Sequence, residues 1–256
     1  MRSCLHFLFF LLAICNLRAG WTVEGWKELG ALEGGAVAWE AEGSSDGRAV
    51  RLSGISFQSG DCTFRVIDNP PEERVSLQSA LAGVATFAGS NGGYFHDDFT
   101  PLGLVVSQGK TLHPFERAKL LSGILAVRKG RIELVRSGNF KAGSDLQEAL
   151  QAGPWLVEKG LPVSGLNEKR LARRTLVAND GKGRWALVAT SPVTLADAAR
   201  ILSLKGIAGS WTVANALNLD GGSSTALHAA AEGGVLINVA AFGPVRNYLA
   251  IVSRRR

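Results

Sequence analysis

The sequence is poor in the residues that most often decide an assignment. Its 256 residues include three cysteines, four histidines and one methionine. Cys4 and Cys15 fall in the apolar N-terminal stretch, so Cys62 has no internal disulfide partner and reads as a small core residue in a strand. His96, His113 and His228 have no partner at a metal-ligand spacing such as H-x-x-x-H, which argues against zinc. After the first stretch, no uncharged apolar run approaches the ~20 residues that span a bilayer, which argues against a stable membrane span. There is no fixed-period repeat, low-complexity linker or heptad run. No basic stripe is interleaved with aromatics, which argues against a nucleic-acid partner. The formal charge of +6 includes Arg2 and Arg18, and falls by two to +4 without them. Arg254, Arg255 and Arg256 supply three of those charges at the terminus, so the body of the chain is nearly balanced.

The N-terminus reads as a secretory signal over residues 1–20. Arg2 gives a basic start, Leu5 to Ile14 a short apolar core, and Ala19 a small residue at the cut. Ile14 is bulky where a lipoprotein signal needs a small residue before Cys15. The expectation is a secreted or periplasmic protein whose residues 21–256 form one domain, long enough to bury a sizeable core. At 46% hydrophobic and 20% charged, the composition is that of an ordinary globular protein, and 31 glycines imply many tight turns.

Short apolar runs punctuated by glycine and aspartate predict strands at residues 49–52, 55–57 and 62–67. Further strands are predicted at 84–88, 102–107, 155–157, 216–219, 235–239 and 248–252. Hairpins are predicted across Arg128-Lys129-Gly130-Arg131 and Asp180-Gly181-Lys182-Gly183. Helices are predicted at Val75 to Leu81, from the N-cap Ser144 to Ala152, and after the N-cap Thr194. The pattern predicts an α+β single domain with one dominant mixed or antiparallel sheet system and about three short helices.

Two glycine-rich segments each follow an apolar strand: Asn91-Gly92-Gly93-Tyr94 and Asp220-Gly221-Gly222-Ser223-Ser224. Paired glycines let the backbone turn sharply and present N–H groups to an anion such as phosphate. Either segment alone could equally be a tight turn. In a wider order, Asn91 to Phe95 is followed by Pro101-Leu102-Gly103-Leu104, Gln151-Ala152-Gly153-Pro154, Arg173-Arg174-Thr175, Asn218 to Ser224, and Arg246-Asn247. That succession, across residues 75 to 252, resembles the phosphodiester glycosidase family. It departs from the family where Ser223 follows Gly222 directly, in place of a frequent third glycine. The chain is short, like compact bacterial members linked to exopolysaccharide.

The resemblance implies a glycosyl-1-phosphodiester substrate, on a sugar-phosphate or polysaccharide. Arg174 and Arg246 are candidates to fork onto the phosphate. Adjacent Arg173 and Arg174 point to opposite faces of a strand, and Arg174 is the better placed. A phosphodiester leaves far more readily than an alkoxide, so one carboxylate can suffice where ordinary glycosidases need two. Asp220 is that carboxylate, as general base or nucleophile. Asn91, Gly92, Gly93, Tyr94, Gly221, Gly222, Ser223 and Ser224 are candidate substrate contacts. His96 is a candidate acid or base, with His228 as another. Asp97, Asp98 and Glu116 are candidates for a second carboxylate. No cofactor is called for, and Ca²⁺ or Mg²⁺ stays open because oxygen ligands can be scattered in sequence. A transferase acting on a polysaccharide acceptor and a non-catalytic sugar-phosphate-binding module would use the same loops.

Overall fold

Short apolar runs broken by glycine and polar turns make this a protein of strands. The computed structural model describes residues 20–86 and 88–254. The expected signal, apart from its last residue, lies outside them. The first half of the chain contributes β1 (Thr22–Ala31), β2 (Val37–Ser45), β3 (Arg48–Gln58), β4 (Cys62–Asp68), helix α1 (Leu77–Gly83), β5 (Ala88–Asn91), β6 (Val105–Ser107), β7 (Lys110–His113) and β8 (Gly123–Arg128). There follow β9 (Arg131–Arg136), β10 (Leu146–Ala152), β11 (Trp155–Glu158), β12 (Leu161–Pro162), β13 (Ala172–Asn179), β14 (Arg184–Val193), helix α2 (Leu195–Leu202), β15 (Asn215–Asn218), β16 (Leu227–Ala231), β17 (Gly234–Val239) and β18 (Asn247–Ser253).

The strands form three sheets. The largest has eight strands in the order β1-β2-β3-β14-β13-β15-β11-β12. The other two have five each, β7-β6-β10-β8-β9 and β17-β16-β5-β18-β4. The main core lies where the three meet. Phe57, Leu187 and Leu217 of the large sheet pack with Leu125 and Leu150 of the second and with Phe64, Leu227 and Leu249 of the third. Phe64 meets Phe57 edge-on, with ring centres 5.0 Å apart, a favoured aromatic geometry. The far face of the large sheet buries Trp39, Leu52 and Leu176 against Ala199, Ile201 and Leu202 of α2. Leu77, Ala80 and Leu81 of α1 cover the outer face of the third sheet.

The expected α+β class with one dominant sheet and about three helices does not hold. The protein is mostly β, with three sheets and two α-helices among the described residues. Two expected helices form. The side chain of Thr194 accepts from Asp197 N at 3.0 Å to cap α2, and Ser76 caps α1 from Ser79 N. The third, Ser144 to Ala152, is strand β10. Leu146, Gln147, Glu148, Ala149 and Leu150 are good helix formers, but this segment is central in its sheet, paired with β6 on one side and β8 on the other. Tertiary pairing overrides the local preference. Glu148 accepts Val66 N at 3.0 Å, and Ser107 Oγ donates to Val66 O at 2.7 Å, which ties the second sheet to the third. The strand expected from Val84 begins only at Ala88, because α1 runs on to Gly83.

Candidate active site

The first glycine loop leaves β5, the central strand of the third sheet, and is shaped by Asn247 at the start of the neighbouring β18. Gly92 N donates to Asn247 O at 2.8 Å, and Gly93 N donates to Asn247 Oδ1 at 2.7 Å. A Cβ on Gly92 would stand 2.1 Å from Asn247 Oδ1, so only glycine fits. The N–H groups expected to face an anion are therefore already taken by Asn247.

The second loop leaves β15 of the large sheet and is clasped to the first. Asn91 Nδ2 donates to Asp220 O at 2.8 Å, and Asp220 N donates to Gly92 O at 3.1 Å. Asn91 Oδ1 accepts from Thr175 Oγ1 at 2.6 Å and from Ala226 N at 2.9 Å. Fully buried and bonded at both ends of its amide, Asn91 holds the loops together and has no free group for a ligand. A third segment joins at Tyr94. Its hydroxyl donates to Gly153 O at 2.6 Å and accepts from Asn218 Nδ2 at 2.6 Å. Burial and the nearby charge of Asp220 push the Tyr94 phenol well above its usual range, so it stays protonated.

Asp220 is partly buried, and no ion pair among the described residues involves it. Gly221 N donates to its Oδ1 at 2.8 Å, and the Ser224 side chain favours its charge as well. Burial outweighs both and raises the carboxyl from 3.8 to about 6. Gly221 approaches the chain at Arg173 O, 2.8 Å from where its Cβ would be, and Gly222 takes a left-handed turn at φ 64°. In the geometry shown the single Ser224 hydroxyl proton goes to Pro244 O at 3.2 Å, so Ser224 favours the Asp220 charge by proximity, while Ser223 is exposed.

Arg173 and Arg174 diverge as strand neighbours should. Arg174 is 8% exposed. Its Nε donates to Val193 O at 3.1 Å, and its charge acts on Tyr94. Arg173 turns the other way, bonds Ala240 O at 2.8 Å and stacks under Phe242 at 4.4 Å. Arg246, a candidate for the phosphate, pairs with Asp68. His96 is exposed, two residues beyond Tyr94. His228 is buried on β16, with its Nδ1 unpartnered. Glu116 accepts from Gly103 N at 3.0 Å, and Asp98 bonds Thr100, so both serve loop structure. Among the described residues no cluster of three or more His, Cys, Asp or Glu side chains could hold a metal ion.

Asn91, Tyr94, Arg174 and Asp220 therefore gather into one cluster. Asn218 and Asn247 belong with them, although the sequence reading assigns a role to neither. Both stand inside the glycine-loop and arginine motifs, so the signal is present in the sequence.

A family model described as phosphodiester glycosidase matches residues 85–252. No curated protein matches the sequence significantly. A hypothetical protein from Synechocystis superposes with a TM-score of 0.58 at 17% identity, over 86% of this chain and 62% of that one. The catalytic domain of zebrafish N-acetylglucosamine-1-phosphodiester alpha-N-acetylglucosaminidase, auto-inhibited by its pro-peptide, superposes with a TM-score of 0.58 at 16% identity, over 93% of this chain and 84% of that one. At such identities the two structures share a fold with this chain, whereas the family match spans both clasped loops, Tyr94, Arg174 and Asp220. On that match, the chain belongs to the phosphodiester glycosidase family.

Proposed function

We propose that this chain hydrolyses a glycosyl-1-phosphodiester on a sugar-phosphate or polysaccharide, outside the cytoplasm. One observation carries the reading: an unpaired carboxylate raised to about 6 shares a cluster with a buried arginine that has no carboxylate partner. At neutral pH Asp220 is mostly ionised, as a nucleophile or general base must be. The bond from the anomeric carbon to the phosphate oxygen breaks. Water supplies the hydroxyl to that carbon and a proton to solvent, and the phosphate leaves as a monoester. Arg174 neutralises the charge gathering on that phosphate. Because the leaving group needs no proton, a second carboxylate beside Asp220 is not required. Arg2, the apolar run to Ile14 and Ala19 support an exported protein. None of the described helices is long and apolar enough to cross a membrane.

The test is sugar release from a panel of UDP-sugars and p-nitrophenyl phosphodiesters of sugars. Wild type is expected to release sugar and Asp220→Asn to bind without turnover. Ligand binding with no release by wild type would replace the hydrolase with a binding module.

A further inference from the structure

Five arginines of this chain, Arg48, Arg128, Arg136, Arg200 and Arg246, each pair with a carboxylate. Arg174 and Arg170 are not among them. Arg174 donates to the backbone carbonyl of Arg170 at 2.8 Å. The charge of Arg170 acts both on Arg174 and on the Tyr94 hydroxyl. Two like charges near each other, Arg174 buried and Arg170 exposed, repel, and an anion between them would relieve that repulsion.

The segment carrying Arg170 is braced. Asn167 Oδ1 accepts from Lys169 N at 2.9 Å and from Arg170 N at 2.7 Å. Ala196 N, in the first turn of α2, donates to Asn167 O at 3.2 Å, and Glu168 pairs with Arg200. A loop fixed this way presents its side chain with little ordering cost on binding. Tyr94 lies near enough to both kinds of charge to be acted on by Asp220 and by both arginines. A glycosyl phosphodiester has the matching layout, with a reacting carbon next to an anion. The N–H groups of Gly92 and Gly93 are occupied by Asn247, so these two glycines of the first loop offer a phosphate no backbone donor.

We propose that Arg170 is a second phosphate-binding residue, forming with Arg174 a two-guanidinium clamp on the leaving phosphate. The anion's identity as a diester rests on the hydrolase reading, whereas the clamp itself does not. A charge-assisted bond of this kind is worth roughly 10-fold to 100-fold in binding.

The experiment compares wild type, Arg170→Ala, Arg170→Lys and the neighbouring control Lys169→Ala. It measures inorganic phosphate binding by calorimetry and turnover of whichever glycosyl phosphodiester wild type cleaves, with thermal melts to confirm folding. Arg170→Ala is expected to weaken phosphate and to lower kcat/KM on the diester by at least roughly 10-fold. Arg170→Lys restores part of the loss, as a point charge without the fork, and Lys169→Ala matches wild type. An active wild type with Arg170→Ala within about twofold of it in both assays, by the same scale, would overturn the clamp and leave the hydrolase standing. Phosphate binding that depends on Arg170, in a protein that cleaves nothing, would support the clamp and overturn the hydrolase. A wild type that binds no phosphate would overturn the clamp outright.

Discussion

Replacing Asp220 with asparagine should abolish turnover and make the protein more stable at alkaline pH. The folded carboxyl sits at about 6 against an ordinary 3.8. Its charged form is thus disfavoured by folding. Below pH ~4 the group is protonated in both states and costs nothing, and above pH ~6 the full cost applies. At ~1.4 kcal/mol for each pH unit between those two values, the cost is about 3 kcal/mol. Solvent reaches part of the side chain and screens its charge, so the realised figure is smaller, about 2 kcal/mol. Asparagine keeps an oxygen for Gly221 N and carries no charge. In a chain of this size each kcal/mol moves Tm by ~2–4 °C. Melting curves of both proteins from pH 4 to 9 should show a gap that is near zero at pH 4 and reaches about 4–8 °C by pH 8. Over the same range, kcat/KM of wild type should fall below pH ~6 as Asp220 takes up its proton. A gap independent of pH, or a less stable variant at pH 8, would refute the idea that this carboxylate is held in the fold at a cost for the sake of its chemistry.

Gly92→Ala sets a methyl 2.1 Å from Asn247 Oδ1 and should lose the Gly93 bond, more than about 2 kcal/mol of stability and activity together; urea midpoints and rates check it. Asn91→Ala strands Asp220 O, Thr175 Oγ1 and Ala226 N at about 1–3 kcal/mol for each buried group left alone. A variant as stable as wild type would refute the clasp. Burial raises Glu148 from 4.5 to about 7, so this group's contribution is present below pH ~4.5 and is lost as pH rises through 7. The stability of Glu148→Gln should therefore change less between pH 5.5 and 8 than that of wild type, as read by thermal melts.

The features legible in the sequence are those that depend on near neighbours. Thr194 and the apolar spacing behind it define α2, and the glycine turn at 180–183 defines the hairpin of β13 and β14. The segment Leu146–Ala152 reads as a helix and folds as a strand because its fate is set by β6 and β8, which lie elsewhere in the chain. The candidate site follows the same divide. Asp220, Tyr94 and Arg174 stand out through the order of their motifs. The service of Asn247 to Gly93 spans 154 residues, and that of Asp68 to Arg246 spans 178, distances over which local pattern carries no information. Nothing near Arg246 in the sequence points to its ion-pair partner Asp68.

The Asn247 contact also bears on when the protein can first work. Chains emerge from the ribosome N-terminus first. Gly92, Gly93 and Asp220 all appear before the asparagine that sets the shape of the first loop. A nascent chain therefore holds its charged groups for some time without holding them in register. The first glycine loop is set in shape only once β18 has paired with β5.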